Sequence, residues 1–153
     1  MSLVSRLLLW GMGACLITGC YAAPHDDGLV KHKVNGVITV NGKPLERVIV
    51  RFQHTDPTIQ RAAANPVGHT NAEGRFAMST SGDGDGVVAG EYIVTFLRAS
   101  GDYTSGKDLF RNRFIDPSKS EHRVTVSDED LTMPPINLEV PAQWLTEPPR
   151  ADD

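Results

Sequence analysis

From Val34 onward, apolar and polar residues alternate with a period of two, the signature of strands that bury one face. Val34, Gly36, Ile38 and Val40 form one face of the first such segment, with Lys33, Asn35, Val37 and Thr39 on the other. Asn41-Gly42 follows, a pair that tolerates the positive φ angles of a tight hairpin, and Pro44 lengthens the loop. The expected return strand places Val48, Val50 and Phe52 inward and Arg47, Arg51 and Gln53 outward. A second hairpin is expected from Val67–Thr70 to Arg75–Thr80 around Asn71-Ala72-Glu73-Gly74, with Phe76 and Met78 on one face. Tyr92 to Leu97 is the most apolar segment and is expected to lie centrally. The alternating segments His122–Val126 and Ile136–Val140 complete a set of seven.

Seven short strands separated by turn-forming residues predict an all-β fold, a seven-stranded antiparallel Greek-key β-sandwich spanning residues 32–142. Fourteen glycines and ten prolines in 153 residues agree with many turns, and the length allows one ordinary domain. A formal charge of -4 supplies no broad positive field for a phosphate backbone, and 7% aromatic residues supply few stacking platforms. Nucleic acid is therefore not an expected partner.

The first residues are organised differently. Arg6 precedes an apolar run from Leu7 to Ile17, about half the ~20 residues that a bilayer-crossing helix needs. The run ends in Ile17-Thr18-Gly19-Cys20, which resembles the lipobox of bacterial lipoproteins: an aliphatic residue, two small residues, then cysteine. Only the cysteine sulfur is nucleophilic enough near neutral pH to take a diacylglyceryl group as a thioether, and a small residue before it admits the peptidase. Residues 1–19 are thus expected to be a signal peptide with Ile17, Thr18 and Gly19 as its recognition residues. Cys20 is the expected lipidation site, and residues 20–31 a flexible tether. Cys15 would leave with the signal, so no internal disulfide is expected. The expected address is the cell envelope, held at a membrane by lipid on Cys20. Residues 143–153 are expected to be a disordered tail.

Across Val34 to Val140 the chain resembles the carboxypeptidase regulatory-like domain, which has a transthyretin-like sandwich. The resemblance rests on Gly36-Val37-Ile38-Thr39-Val40-Asn41-Gly42-Lys43-Pro44-Leu45, Thr70-Asn71-Ala72-Glu73-Gly74-Arg75-Phe76, Gly84-Asp85-Gly86 ahead of Gly90-Glu91-Tyr92-Ile93-Val94-Thr95, and Phe114-Ile115-Asp116-Pro117. Asn71 stands where that family usually has Asp, and both residues cap tight turns. The resemblance implies a fold and no fixed activity, because such domains serve as accessory modules on unrelated proteins.

Candidate chemistry is sparse, and no catalytic, metal or cofactor residues are expected. His25, Asp26 and Asp27 read as solvated tether charge. Ser81 to Gly86 partly imitates a calcium loop, but Tyr92 stands at its twelfth position, so a mobile loop is the simpler expectation. Tyr92 is expected in the core, and His54, His69 and His122 at strand ends. Ser118 and Ser120 beside Asp116 and His122 lack a nucleophile elbow and read as a capped turn. Arg111-Asn112-Arg113 could hold an anionic polymer, and Tyr103, Phe110, Phe114 and Trp144 are the aromatic supply for a glycan site. The transthyretin-related hydrolases end in Tyr-Arg-Gly-Ser, against Pro148-Pro149-Arg150-Ala151-Asp152-Asp153 here, and the paired Tyr and His iron ligands of intradiol dioxygenases are missing. A Lys33 to Asn137 crosslink would need a neighbouring carboxylate. The leading expectation is a non-enzymatic binding or structural module, with a glycan- or peptidoglycan-binding accessory protein as the alternative and a hydrolase as the remote one. The partner is an unidentified envelope protein or glycan.

Overall fold

A computed structural model describes residues 27–60, 63–100 and 107–146. These residues form no α-helix. Nine strands make one curled, largely antiparallel sheet: β1 (Val34–Val40), β2 (Lys43–Pro44), β3 (Val48–His54), β4 (Val67–His69), β5 (Arg75–Ser79), β6 (Gly90–Arg98), β7 (Arg123–Val126), β8 (Leu131–Thr132) and β9 (Ile136–Leu138). The order along the sheet is β2-β1-β5-β4-β3-β6-β7, and β8 and β9 pair with β1 in parallel.

The alternation in the sequence is realised as burial. In β1, Val34, Gly36, Ile38 and Val40 are buried, as are Val48, Val50 and Phe52 in β3 and Phe76 and Met78 in β5. The core gathers these with Val87, Tyr92, Val94, Phe96, Phe110, Val126 and Leu138. The Tyr92 hydroxyl donates to the Val88 carbonyl at 2.9 Å, which gives a fully enclosed phenol the partner it needs. Burial also pushes that phenol up to about 12. Its strand, β6, is flanked by β3 and β7, one place in from the end of the path.

The Asn41-Gly42 turn forms as the sequence predicts, with φ of 50° and 76°. Its return strand differs. Across the turn β1 pairs back with only Lys43–Pro44, while Val48–His54 pairs with β4 and β6. Pro44 has no N–H with which to extend the hairpin. Arg47, at φ 64°, then turns the chain away. Thr70 receives it: the Arg47 N–H donates to the Thr70 carbonyl at 2.9 Å and the Val48 N–H to Thr70 Oγ1 at 2.8 Å. The Thr70 hydroxyl in turn donates to the Leu45 carbonyl at 2.7 Å. One buried side chain therefore satisfies two backbone groups of the crossover.

The second hairpin lies where expected, with Val67 opposite Ser79 and Gly68 opposite Met78. Gly74 sits at φ 71°, and a Cβ there would lie 2.3 Å from the Ile38 carbonyl oxygen, so glycine is required on two grounds. The end of the domain also differs from expectation. Ala142–Leu145 forms a 3₁₀ turn, and Trp144 and Leu145 pack on the core, so this turn is built onto the sheet.

Thr70→Val leaves the Leu45 acceptor and the Val48 donor without their partner. We expect a loss of about 1–3 kcal/mol in urea unfolding, with Thr70→Ser retaining most of the stability.

Candidate functional site

Ile17, Thr18, Gly19 and Cys20, with His25 and Asp26, lie outside the described residues. Residues 27–31, the described end of the segment expected as a tether, are fastened to the sheet. Lys31 Nζ donates to Asp27 Oδ2 at 2.5 Å and to Asp85 Oδ2 at 2.7 Å, with Ser81 Oγ at 3.4 Å. The Ser81 hydroxyl also donates to Asp27 Oδ2. His32 then exchanges backbone hydrogen bonds with Val87, and the Lys33 N–H donates to Asp130. Residues 27–31, expected as free tether, are thus closed onto the Ser81–Gly86 loop.

That loop is organised around Asp85, whose carboxylate also accepts from the N–H groups of Thr80 and Ser81. Gly86, at φ 93°, passes so close to His32 that a Cβ would meet its carbonyl oxygen at 2.3 Å. The Asp85 oxygens are served by an ammonium and by amides, and no cluster of three or more His, Cys, Asp or Glu side chains that could hold a metal ion occurs among the described residues. Hydrogen bonds to Lys31 and Ser81 hold the Asp27 carboxyl far below the usual carboxylate range. Asp85 is also lowered: burial works against its charged form, and the Lys31 ammonium with the backbone donors outweighs it. Lys31 is raised by its bonds to Asp27 and Asp85.

A second cluster lies on residues 107–122. Asp108 Oδ1 accepts from the N–H groups of Arg98 and Phe110, each at 2.9 Å, and Oδ2 from that of Asn112 at 3.0 Å. This carboxylate holds Arg111 and Asn112 in the left-handed region, at φ 53° and 61°, where two successive non-glycine residues are strained. Arg111 stands 5.1 Å over the Trp144 ring and Arg113 5.5 Å over Phe114. Of the aromatics considered for a glycan platform, Phe110 is fully buried edge-on against Phe114, Trp144 is partly buried beneath Arg111, and Tyr103 lies outside the described residues.

A small cleft of about 210 Å³ opens beside Arg113, Phe114, Asp116, Lys119 and His122. Its groups serve one another. Asp116 Oδ1 accepts from both the N–H and the hydroxyl of Ser118, capping the 3₁₀ turn Pro117–Lys119, while Asp116 Oδ2 pairs with Lys119 at 3.2 Å. The Ser120 hydroxyl donates to the Val94 carbonyl. The His122 ring lies edge-on to Phe96. Neither serine hydroxyl is directed at an imidazole, and the segment reads as the capped turn that the sequence suggests.

The other histidines are dispersed. His54 Nδ1 accepts from the Asp56 N–H at 3.0 Å, and its ring stands edge-on to Tyr92. His69 lies on the outward face of β4, where burial and the nearby Arg51 hold it below its usual value. Lys33 and Asn137 do not meet. Asn137 is opposite Thr39, six residues along β1 from Lys33 and thus roughly 20 Å away.

Lys31 and Asp108 were not candidates from the sequence. The Asp27 to Lys31 spacing was visible, but the ion pair with Asp85 spans 54 positions and depends on the sheet.

Neither a protein-family model nor a curated protein matches the sequence. Among solved structures, the chain is similar to a 9R-lipoxygenase from Cyanothece at 14% identity and a TM-score of 0.37. The match covers 71% of this chain and 16% of that one.

Lys31→Met should free residues 28–32 for amide exchange at neutral pH, measured by mass spectrometry. The pH dependence has a definite sign. Both carboxyls are depressed in the folded state, so their contribution is present above the ordinary aspartate value of 3.8 and is lost as pH falls toward the folded values. The raised Lys31 contributes below the ordinary lysine value of 10.5 and loses its effect as pH climbs through its folded value. The difference between wild type and Lys31→Met should therefore be largest between these limits and vanish at both extremes.

Proposed function

We propose that this protein is a lipid-anchored component of the bacterial cell envelope whose β-rich body is a non-enzymatic binding or structural module. The observation that carries the reading is Ile17-Thr18-Gly19-Cys20 at the end of a short apolar run. Two or three acyl chains on that residue would bury enough methylene surface, at about 0.8 kcal/mol each, to hold the body at a bilayer margin. No helix among the described residues is long and apolar enough to cross a membrane, which leaves the covalent lipid as the anchor in this reading. The closure of Lys31 onto Asp27 and Asp85 supports it further, because a fastened tether gives the body a preferred attitude toward the surface.

The body itself is read as a Greek-key sandwich of the carboxypeptidase regulatory-like kind. The placement of β1 beside β5 and of β6 beside β3, non-sequential neighbours joined over the ends of the sheet, supports this. The binding role is supported by the commitment of Ser118, Ser120 and Asp116 to local structure. A glycan-binding role is favoured, within this reading, by the polar outward face of the sheet.

The test is expression in a bacterial host followed by intact mass and membrane fractionation. The wild-type chain should begin at Cys20, carry diacylglyceryl mass and partition into detergent. Cys20→Ala should stay unlipidated and lose the membrane fraction. A wild-type chain beginning at Met1 with an unmodified thiol would reject the proposal.

A further inference from the structure

Charge is segregated between the strands and the loops of this acidic protein. The nine strands contain Lys43, Arg51, Arg75, Arg98 and Arg123 but a single acid, Glu91. Every other described carboxylate lies outside the strands, and several, such as Asp27, Asp85, Asp108 and Asp116, are occupied by backbone donors or ammonium groups. The sheet therefore presents a positive surface that the net charge of -4 conceals.

The register shows where the positive groups gather. Val50, Gly68 and Met78 occupy the core-facing row of β3, β4 and β5. Their neighbours Arg51, His69 and Arg75 therefore share the outward face. The electrostatic influence of Arg51 on His69 places those two close together. Arg51 and Arg75 are exposed and make no ion pair among the described residues.

This face is hollowed. Adjoining depressions of about 410, 400 and 420 Å³ run across β5, β4 and β3, the first two sharing His69 and Ser79 and the last two sharing Asn65 and Val67. From Asn35 on β1 to Thr95 on β6 the trough crosses four strand spacings, roughly 19 Å along the sheet. Apart from Arg51, Arg75 and the His69 imidazole its polar lining is amide and hydroxyl, with Asp83, which lines two of the three depressions, as the one carboxylate.

We propose that this trough is a binding site for a linear acidic polysaccharide, whose carboxylates are taken by Arg51 and Arg75 and whose hydroxyls meet the amides and hydroxyls between them. Charge complementarity selects an anionic ligand, and the guanidinium fork pairs bidentately with a carboxylate. The location selects a polysaccharide over a peptide. β3, β4 and β5 each have a neighbour on both sides, so their backbone is spent on the ladder and an added peptide strand would find no edge. A bilayer fits less well, since of the two exposed large hydrophobic residues among those described, Val30 and Ile115, only Ile115 borders the trough, too little for apolar insertion.

The inference rests on reading the body as a binding module and is independent of the lipid on Cys20. The test uses full-length protein in detergent, with calorimetric titration of polygalacturonate and neutral dextran of similar length, and the full-length Cys20→Ala form without detergent titrated with phosphatidylglycerol vesicles. Polygalacturonate should bind with an affinity that falls as salt rises, and dextran should not bind. Arg51→Gln/Arg75→Gln should weaken binding about tenfold or more, Arg51→Lys/Arg75→Lys should restore part of it, and Lys43→Gln, on β2 and lining none of these depressions, should change it less than about twofold. Unchanged unfolding midpoints would show that the variants fold. Absence of polygalacturonate binding, or binding indifferent to the double glutamine variant, would overturn the proposal. Binding of anionic vesicles alone that is lost in that variant would overturn it in favour of a membrane. Cys20→Ala should keep the wild-type affinity, so a failed lipidation test and a failed trough are separate results.

Discussion

Pairing along both edges of β1 is the constraint on which the rest of the structure depends. On one side β5 and then β2 take its hydrogen bonds, and on the other β8 and then β9 run parallel to it. An N-terminal strand left open on one side would expose a row of unsatisfied donors and acceptors over seven residues. The segment after β7 closes that row, and in doing so brings Met133, Leu138 and Val140 into the core beside Val34, Ile38 and Val40. The described segment after β7 is therefore a structural member of the sheet, although its strands are short.

The period-two alternation made the buried faces of β1, β3 and β5 legible, because side chains on a strand have only two directions to choose between. The partners of those strands were less so. Asn41-Gly42 announced a turn, but that Pro44 would end the hairpin after two residues depended on Thr70, more than twenty positions away, accepting and donating for the crossover. Leu131–Thr132 was missed, since two residues cannot display a period, and Trp144 was assigned to a tail because its apolar contact is made with strands distant in sequence.

The candidate chemistry divides along the same line. Asp116 followed by Pro117 and Ser118 is a local capping signal, and the hydrogen bonds follow it. The pairing of Lys31 with Asp85 and the alignment of Arg51, His69 and Arg75 arise from tertiary placement, and in the sequence they read as scattered charge. Acids concentrated in turns and arginines in strands leave each sign where its role differs: carboxylates cap backbone donors in the loops, whereas the guanidinium groups stand over a face with no carboxylate row opposite.

The parallel course of β1 and β9 also governs how the molecule would bear tension. A pull transmitted through the N-terminal segment would reach β1 along its own axis, once the Lys31 fastening had yielded. It would then meet the ladder bonds on both flanks as a group loaded in shear. Strands peeled sideways surrender such bonds one after another, but a strand drawn lengthwise must break them together. The place where residues 27–33 lead into β1 is thus also a place where the sheet resists unravelling.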